Sequence, residues 1–244
     1  MKISYCCLIY KSTKWLQFVY DQFMKHTVMK DDDEFFFVAN DACDDVLQYL
    51  QHNNIKHYIH QNTDKQRDEW YINNVYRAWN ECTKRANGDY IIFLNSDFAF
   101  SPDWNTNLIN KLSDNNCVVS RLIERGVMSS GKYGIEFNFG NNYNDYNENA
   151  FLHVVEKIKE NKLYEGGLYM PLLINKKHLE MVGHFPEGNV RVGCDIFNPV
   201  IAKKGERLLS GDFVLMEKLK RINVKHMTAF DSIIYHFQEG EMRE

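Results

Sequence analysis

The hydrophobic positions follow two alternating patterns along the first hundred residues. Residues 3–10, 35–38, 55–59 and 89–94 read as strands. The uniformly apolar run at 35–38 reads as a strand covered on both sides, because a strand with one wet face would alternate polar and apolar residues. Between them apolar residues recur at helical spacing. Trp15, Val19 and Phe23 mark a helix over residues 13–26, with Ser12 placed to cap it. Val46, Leu47 and Leu50 mark a short helix over residues 44–53. Tyr71, Val75, Ala78, Cys82 and Ala86 predict one long helix over residues 64–86, stopped by Asn87-Gly88. The acidic run at residues 31–34 reads as a solvated turn. A β-α-β-α-β-α-β order calls for a mainly parallel sheet with right-handed crossovers. Ligands of such sheets sit beyond the carboxyl ends of the strands, so the useful residues should follow Leu8, Val38 and Leu94.

The second half is less regular. Residues 117–123, 169–174 and 233–237 read as strands. Helical spacing returns over residues 151–161, 176–182 and from Asp212 to about residue 221. Residues 126–149 are rich in Gly, Asn, Tyr and Ser and form a long loop, of the kind that is usually functional or disordered. Residues 188–210 show no pattern. With no repeat and no Pro/Ser-rich linker, residues 1–244 read as one α/β domain.

Composition narrows the function classes. The 244 residues are 44% hydrophobic and 25% charged, an ordinary globular balance. Lys and Arg total 29 against 33 Asp and Glu, a net charge of −4. A general nucleic-acid binder would carry a basic excess, so nucleic acid is not an expected partner. No apolar run approaches the roughly 20 residues of a membrane span. The N-terminal apolar stretch is short and runs into Lys11, which fits a strand better than a signal peptide. Six cysteines include no C-x-x-C pair. They read as reduced thiols in a cytoplasmic protein, with no structural zinc.

The sharpest chemical signal is Gly88-Asp89-Tyr90-Ile91-Ile92-Phe93-Leu94-Asn95-Ser96-Asp97, followed by Ser101-Pro102-Asp103-Trp104. A buried strand delivers Asn95 and Asp97 at its carboxyl end, two residues apart and so aimed alike if the strand persists. An amide and a carboxylate facing one cleft make half a site for a hard divalent cation. Asn-Ser-Asp is equally good turn chemistry. Asp212 precedes an amphipathic helix, where it reads either as an N-cap or as a reactive carboxylate. Asp195, after Gly193-Cys194, has a similar setting.

These segments, in this order, resemble the GT-A glycosyltransferases, and most of all the large inverting family 2. The strand ending in Asn95-Ser96-Asp97 is similar to the family's DxD-type motif. Residues 35–45, Phe-Phe-Phe-Val-Ala-Asn-Asp-Ala-Cys-Asp-Asp, resemble its second strand and acidic turn. Arg77-Ala78-Trp79-Asn80 with Ala86-Asn87-Gly88 resembles the helix entering the DxD strand. Gly211-Asp212-Phe213-Val214-Leu215 resembles the segment of the catalytic carboxylate, and Tyr235-His236-Phe237 the terminal histidine segment.

The resemblance implies a single GT-A domain with a nucleotide-sugar half at residues 1–104 and an acceptor half at 105–244. It implies Mn²⁺ or Mg²⁺ on Asp97 and His236, bridging the diphosphate of a UDP-sugar. Tyr10, Asn40, Asp41, Arg77 and Asn95 would contact the nucleotide. Asp212 would be the general base, with Asp195 as its rival. Asn95 departs from the pattern, since many members carry an acidic residue there. The expected partners are a nucleotide sugar and a glycan acceptor, in polysaccharide or glycoprotein-glycan synthesis. Two other readings are a non-catalytic nucleotide- or glycan-binding module on this scaffold and a sugar-phosphate nucleotidyltransferase. The second normally needs a Gly-rich loop after the first strand, and Tyr10-Lys11-Ser12-Thr13 contains no glycine.

Overall fold

Strands with apolar residues on both faces stack at the centre of the molecule, and helices cover them. The computed structural model describes residues 1–243. In chain order the first half comprises β1 (Ile3–Ile9), α1 (Thr13–His26), β2 (Glu34–Asn40), α2 (Asp44–His52), β3 (His57–His60), α3 (Asp64–Arg67), α4 (Tyr71–Arg85) and β4 (Tyr90–Leu94). β3, β2, β1 and β4 lie side by side in that order, all parallel. Every residue of β1 except Leu8 is buried, and its two faces feed two cores. Tyr5, Cys7 and Ile9 pack with Phe23 and Phe37 on one side. Cys6 packs with Phe36, Trp79 and Phe93 on the other. The Ser12 hydroxyl caps α1 by accepting from the Trp15 N–H.

The single long helix expected over residues 64–86 is two helices. α3 is one turn, closed by a capping box between Thr63 and Gln66, and buries none of its residues. Residues 64–69 are all polar, so nothing holds those turns against the sheet, and α4 starts only at Tyr71. The acidic run is also less solvated than expected. Asp33 accepts from the Ile3 N–H at 2.9 Å. Glu34 accepts from the Ser4 hydroxyl and the Asn87 N–H, both at 2.6 Å. These bonds tie β2 to β1 and to the turn at Gly88, where a Cβ would come within 2.8 Å of backbone atoms of Lys2 and Ser4.

The second half adds β5 (Phe98–Phe100), α5 (Trp104–Asn110), β6 (Asn116–Glu124), β7 (Ile135–Glu136), α6 (Glu148–Ile158), β8 (Leu163–Glu165), β9 (Leu172–Asn175), α7 (Lys176–Met181), β10 (Val190–Arg191), β11 (Leu208–Leu209), α8 (Gly211–Arg221) and β12 (Lys225–His236). β9 inserts antiparallel between β4 and β6, and β12 runs parallel to β6. The main order is therefore β3-β2-β1-β4-β9-β6-β12-β5. The sequence pattern does not predict β5, α5 or β8, and it finds only the end of β12. A register shift between Ala229 and Ile233 interrupts the alternation of β12. No helix among the described residues is long and apolar enough to cross a membrane. All six cysteines are free.

This topology fixes the site. β1, β2, β4, β6 and β12 all point one way, so Tyr10, Asn40, Asp97, Glu124 and His236 emerge on one edge of the sheet. α4 and α8 each precede one of these parallel strands, so their N-termini return to that edge.

Candidate active site

Asp97 leaves β4 just before β5, and β5 pairs with the end of β12 so that Phe98 lies opposite His236. The Asp97 side chain is buried, with its Oδ2 3.4 Å from His236 Nε2. On the other side of the ring, His236 Nδ1 lies 2.9 Å from Glu124 Oε1, at the end of β6. Two buried carboxylates thus flank a half-buried imidazole in one line. Burial alone would lower the His236 pKa, but the Asp97 and Glu124 carboxylates outweigh it and push it up to about 9. Burial would raise Asp97; the His236 charge and the Gly240 N–H overcome this and hold its carboxyl below the usual range.

The second carboxylate is differently made. Ser210, not Asp212, is the N-cap of α8: its hydroxyl accepts from the Phe213 N–H. This removes the capping role the sequence left open for Asp212, which sits one residue inside the helix. Tyr76 of α4 donates its hydroxyl hydrogen to Asp212 Oδ2 at 2.9 Å. The same hydroxyl oxygen accepts from the Asp212 N–H at 3.2 Å. Gly211 allows this approach, because a Cβ there would come within 2.6 Å of the Tyr76 ring. Burial pushes the Asp212 carboxyl up to about 6, with the Tyr76 hydrogen bond opposing the rise.

Asp195 is exposed and accepts from the Phe197 N–H at 3.0 Å and from the Asn198 amide at 3.0 Å. It closes its own turn, and the Phe197 N–H holds its carboxyl below the usual range.

The nucleotide-side candidates fall into two groups. Tyr10 stands at the end of β1 with 41% of its surface exposed. Asn40 ends β2 and Asp41 follows it, in a left-handed conformation at φ 49°. Asn62 joins them: its amide donates to Asn40 Oδ1 at 3.1 Å and to Asp41 Oδ2 at 2.6 Å. The Asn62 carbonyl oxygen is buried and has no partner. Arg67 Nε donates to Asp41 Oδ1 at 3.1 Å. Arg77 lies elsewhere, paired with Glu69 and Glu187 in a cleft of about 630 Å³ lined also by Trp70, Asn73 and Lys203. Arg67, not Arg77, is the guanidinium at Asp41. Asn95 is half-buried between β4 and Asp97.

Tyr76, Glu124, Asn62 and Arg67 escaped the sequence reading. Glu124 had a usable signal, a carboxylate one residue beyond a predicted buried strand. The others had none, since Tyr76 reads as one more apolar position of a helix.

Among the described residues, no three His, Cys, Asp or Glu side chains converge as a complete metal cage. A cation here would have two protein donors, Asp97 and His236. The arrangement suits one: Glu124 accepts at Nδ1, which leaves Nε2 as the ligand atom, as carboxylate–histidine–metal relays require.

A parallel sheet with one reversed central strand and acidic groups at its carboxyl edge defines a GT-A glycosyltransferase fold. The chain belongs to glycosyl transferase family 2, whose model matches residues 32–164, more than half of it. The matched span includes Asn40, Asp41, Asn95 and Asp97 and ends before Asp212 and His236. The fold is similar to residues 1–349 of S. aureus TarS, with 14% identity, TM-score 0.58, and 97% of this chain covering 60% of that one. It is similar to GalNAc-T7 in complex with UDP, GalNAc and Mn²⁺, with 13% identity, TM-score 0.61, and coverage of 97% and 44%. It is also similar to the mannosyltransferase PcManGT of Pyrobaculum calidifontis in complex with GDP-Man and Mn²⁺, with 14% identity, TM-score 0.57, and coverage of 96% and 56%. The chain thus spans between 44% and 60% of these proteins. No curated protein matches its sequence.

Proposed function

We propose that the protein is a metal-dependent inverting glycosyltransferase that moves a sugar from a nucleotide sugar to a hydroxyl of a glycan acceptor. The observation that carries this reading is Asp212: a carboxylate pushed up to about 6 and held by the Tyr76 hydroxyl, at the edge where Asp97 and His236 also emerge. A base with that value is ionised at neutral pH and still basic enough to take a proton. In the reaction the acceptor oxygen attacks the anomeric carbon as its proton passes to an Asp212 oxygen. The bond from that carbon to the donor phosphate oxygen breaks, and the electron pair leaves with the nucleoside diphosphate. One displacement inverts the anomeric centre.

Asp97 and His236 would hold the divalent cation, Mn²⁺ or Mg²⁺, which supplies Lewis-acid stabilisation of the departing diphosphate. Glu124 orients the ring for this. Tyr10 is exposed for stacking on a base, and Asn40, Asp41, Asn62 and Arg67 supply hydrogen bonds for base or ribose. A UDP-sugar is our preferred donor; the structural neighbours include one solved with UDP and one with GDP-Man. The donor half is residues 1–104, completed by His236 from the acceptor half at 105–244. The six free cysteines fit a cytoplasmic, reducing compartment.

The test is a donor panel. UDP-, GDP- and dTDP-sugars are titrated against the purified protein with and without Mn²⁺, with thermal stabilisation and slow donor hydrolysis as readouts. Metal-dependent binding of one nucleotide class supports the reading. No binding of any donor at millimolar concentration overturns it.

A further inference from the structure

Beyond β12 the chain turns back over the site. Gln238 and Glu239 both take left-handed backbone conformations, with φ of 58° and 59°, which non-glycine residues adopt seldom. The turn is pinned by Gln238, which is buried. Its Oε1 accepts from the Val127 and Met128 N–H groups at 2.7 and 3.1 Å. Its amide nitrogen donates to the Met128 carbonyl at 3.1 Å. Gly240 then lies directly on Asp97: its N–H donates to Asp97 Oδ2 at 3.0 Å. A Cβ at this glycine would come within 2.5 Å of the Asp97 Cβ, so the fit tolerates no larger residue.

Glu241 follows, 8% exposed. Its carboxylate accepts from the backbone N–H groups of Tyr10, Lys11 and Ser12 at 3.2, 3.0 and 2.9 Å. It also accepts from the Ser96 hydroxyl at 2.8 Å. Successive N–H groups at the start of a helix make a concave anion site. Here that site opens between Tyr10 and the Asp97 loop, and the chain's own carboxylate fills it. One short segment therefore occupies an oxygen of Asp97 and the N–H groups of the β1–α1 turn at once.

We propose that residues 239–242 are an autoinhibitory strap, in which Glu241 sits in the β1–α1 nest and Gly240 on Asp97, and which must lift before a nucleotide donor can seat. The inference rests on the donor-site reading above. Gln238 stays clamped to the loop at 127–128, and the left-handed pair at 238–239 is the hinge. Only the lifted state binds, so the apparent affinity for nucleotide is the intrinsic affinity reduced by the lifted fraction.

Calorimetric titration of UDP and GDP with Mn²⁺ tests this on the full chain and on Glu241→Ala and Glu241→Gln. The strap predicts that Glu241→Ala binds at least about tenfold tighter than the parent, with Glu241→Gln between them. Equal or weaker binding by a folded variant overturns the strap and leaves the donor reading standing. Absence of binding by parent and variants alike overturns the donor reading, and the strap with it. Should Glu241→Ala fail to fold, amide hydrogen exchange on the parent decides. Saturating nucleotide should speed exchange at residues 239–242. Slower exchange there would show a clamp that closes on the donor, the opposite device.

Discussion

The carboxylates Asp97 and Asp212 reach the same edge of the sheet with their pKa values shifted in opposite directions. Asp97 is buried beside a charged imidazole and under a backbone N–H, so it stays ionised despite its burial. Asp212 is half-buried, and its partner is a neutral phenol. A hydroxyl cannot match a cation in compensating a buried charge, so the Asp212 carboxyl rises to about 6. Burial alone does not set a carboxylate's pKa; its partner does too. The surroundings of Asp97 favour the ionised form, whereas those of Asp212 let it take up a proton at higher pH than an ordinary carboxylate.

The largest effect should come from removing the proton acceptor. Asp212→Asn keeps the shape and the Tyr76 contact, and should lower transfer by roughly 10²–10⁴-fold. Donor binding should stay within about twofold of the parent. Transfer rates beside nucleotide titrations check this, and equal loss of both would make Asp212 a binding residue. The same substitution should also stabilise the fold at high pH. A carboxyl raised in the folded state disfavours folding once ionised, that is, as pH rises through about 6. Asp212→Asn should therefore melt higher than the parent at pH 8 and no higher at pH 3.

Next in size is Asp97→Ala. It removes one of the two protein donors proposed for a cation and should weaken Mn²⁺-dependent nucleotide binding by about 100-fold, at the upper end of what even outer partners of a metal ligand cost. Nucleotide titrations with and without Mn²⁺ measure it. Unchanged metal dependence would take Asp97 out of the site and leave the contrast with Asp212 without one of its sides.

Tyr76→Phe acts more gently and on one quantity. The parent's transfer rate should fall about tenfold for each pH unit below about 6, as Asp212 takes up a proton. Loss of the phenol removes a hydrogen bond that favours the carboxylate. The acid limb of the pH profile should move up by about one pH unit, with a smaller change in rate on the alkaline plateau. A limb that stays in place would mean that another group carries it.

What the sequence could reveal follows the range of the interactions. β1, β2 and β4 were legible because a strand buried on both faces carries its own signal. Asp97 was legible as the polar residue such a strand delivers, and the same rule applied to β6 points to Glu124. Tyr76 meets Asp212 across 136 residues, and Glu241 meets Lys11 across 230, through contacts that leave no local pattern. The split between α3 and α4 was hidden because a charged helix and a charged turn share a composition. β12 was half hidden because its bulge breaks the alternation that marks a strand. The family resemblance located His236, but only the pairing of β12 with β5 and β6 shows why its ring lies between two carboxylates.

The smallest effect should come from Asp195, which separates a carboxylate's sequence context from its surroundings. Asp195 and Asp212 each follow a glycine closely and precede apolar residues, so sequence context barely divides them. The structure gives Asp195 solvent on one side and the N–H of Phe197 on the other, which lowers its pKa and weakens it as a base. Asp195→Asn preserves the turn chemistry, because an asparagine oxygen also accepts from that N–H. Transfer should stay within about threefold of the parent, and stability should barely change, as for an ordinary surface change. A loss of 100-fold or more with folding intact would reverse the assignment. It would mean that the loop between β10 and β11 closes on the acceptor and that Asp195 becomes buried as it does so. Only then could burial raise its pKa as it now raises that of Asp212.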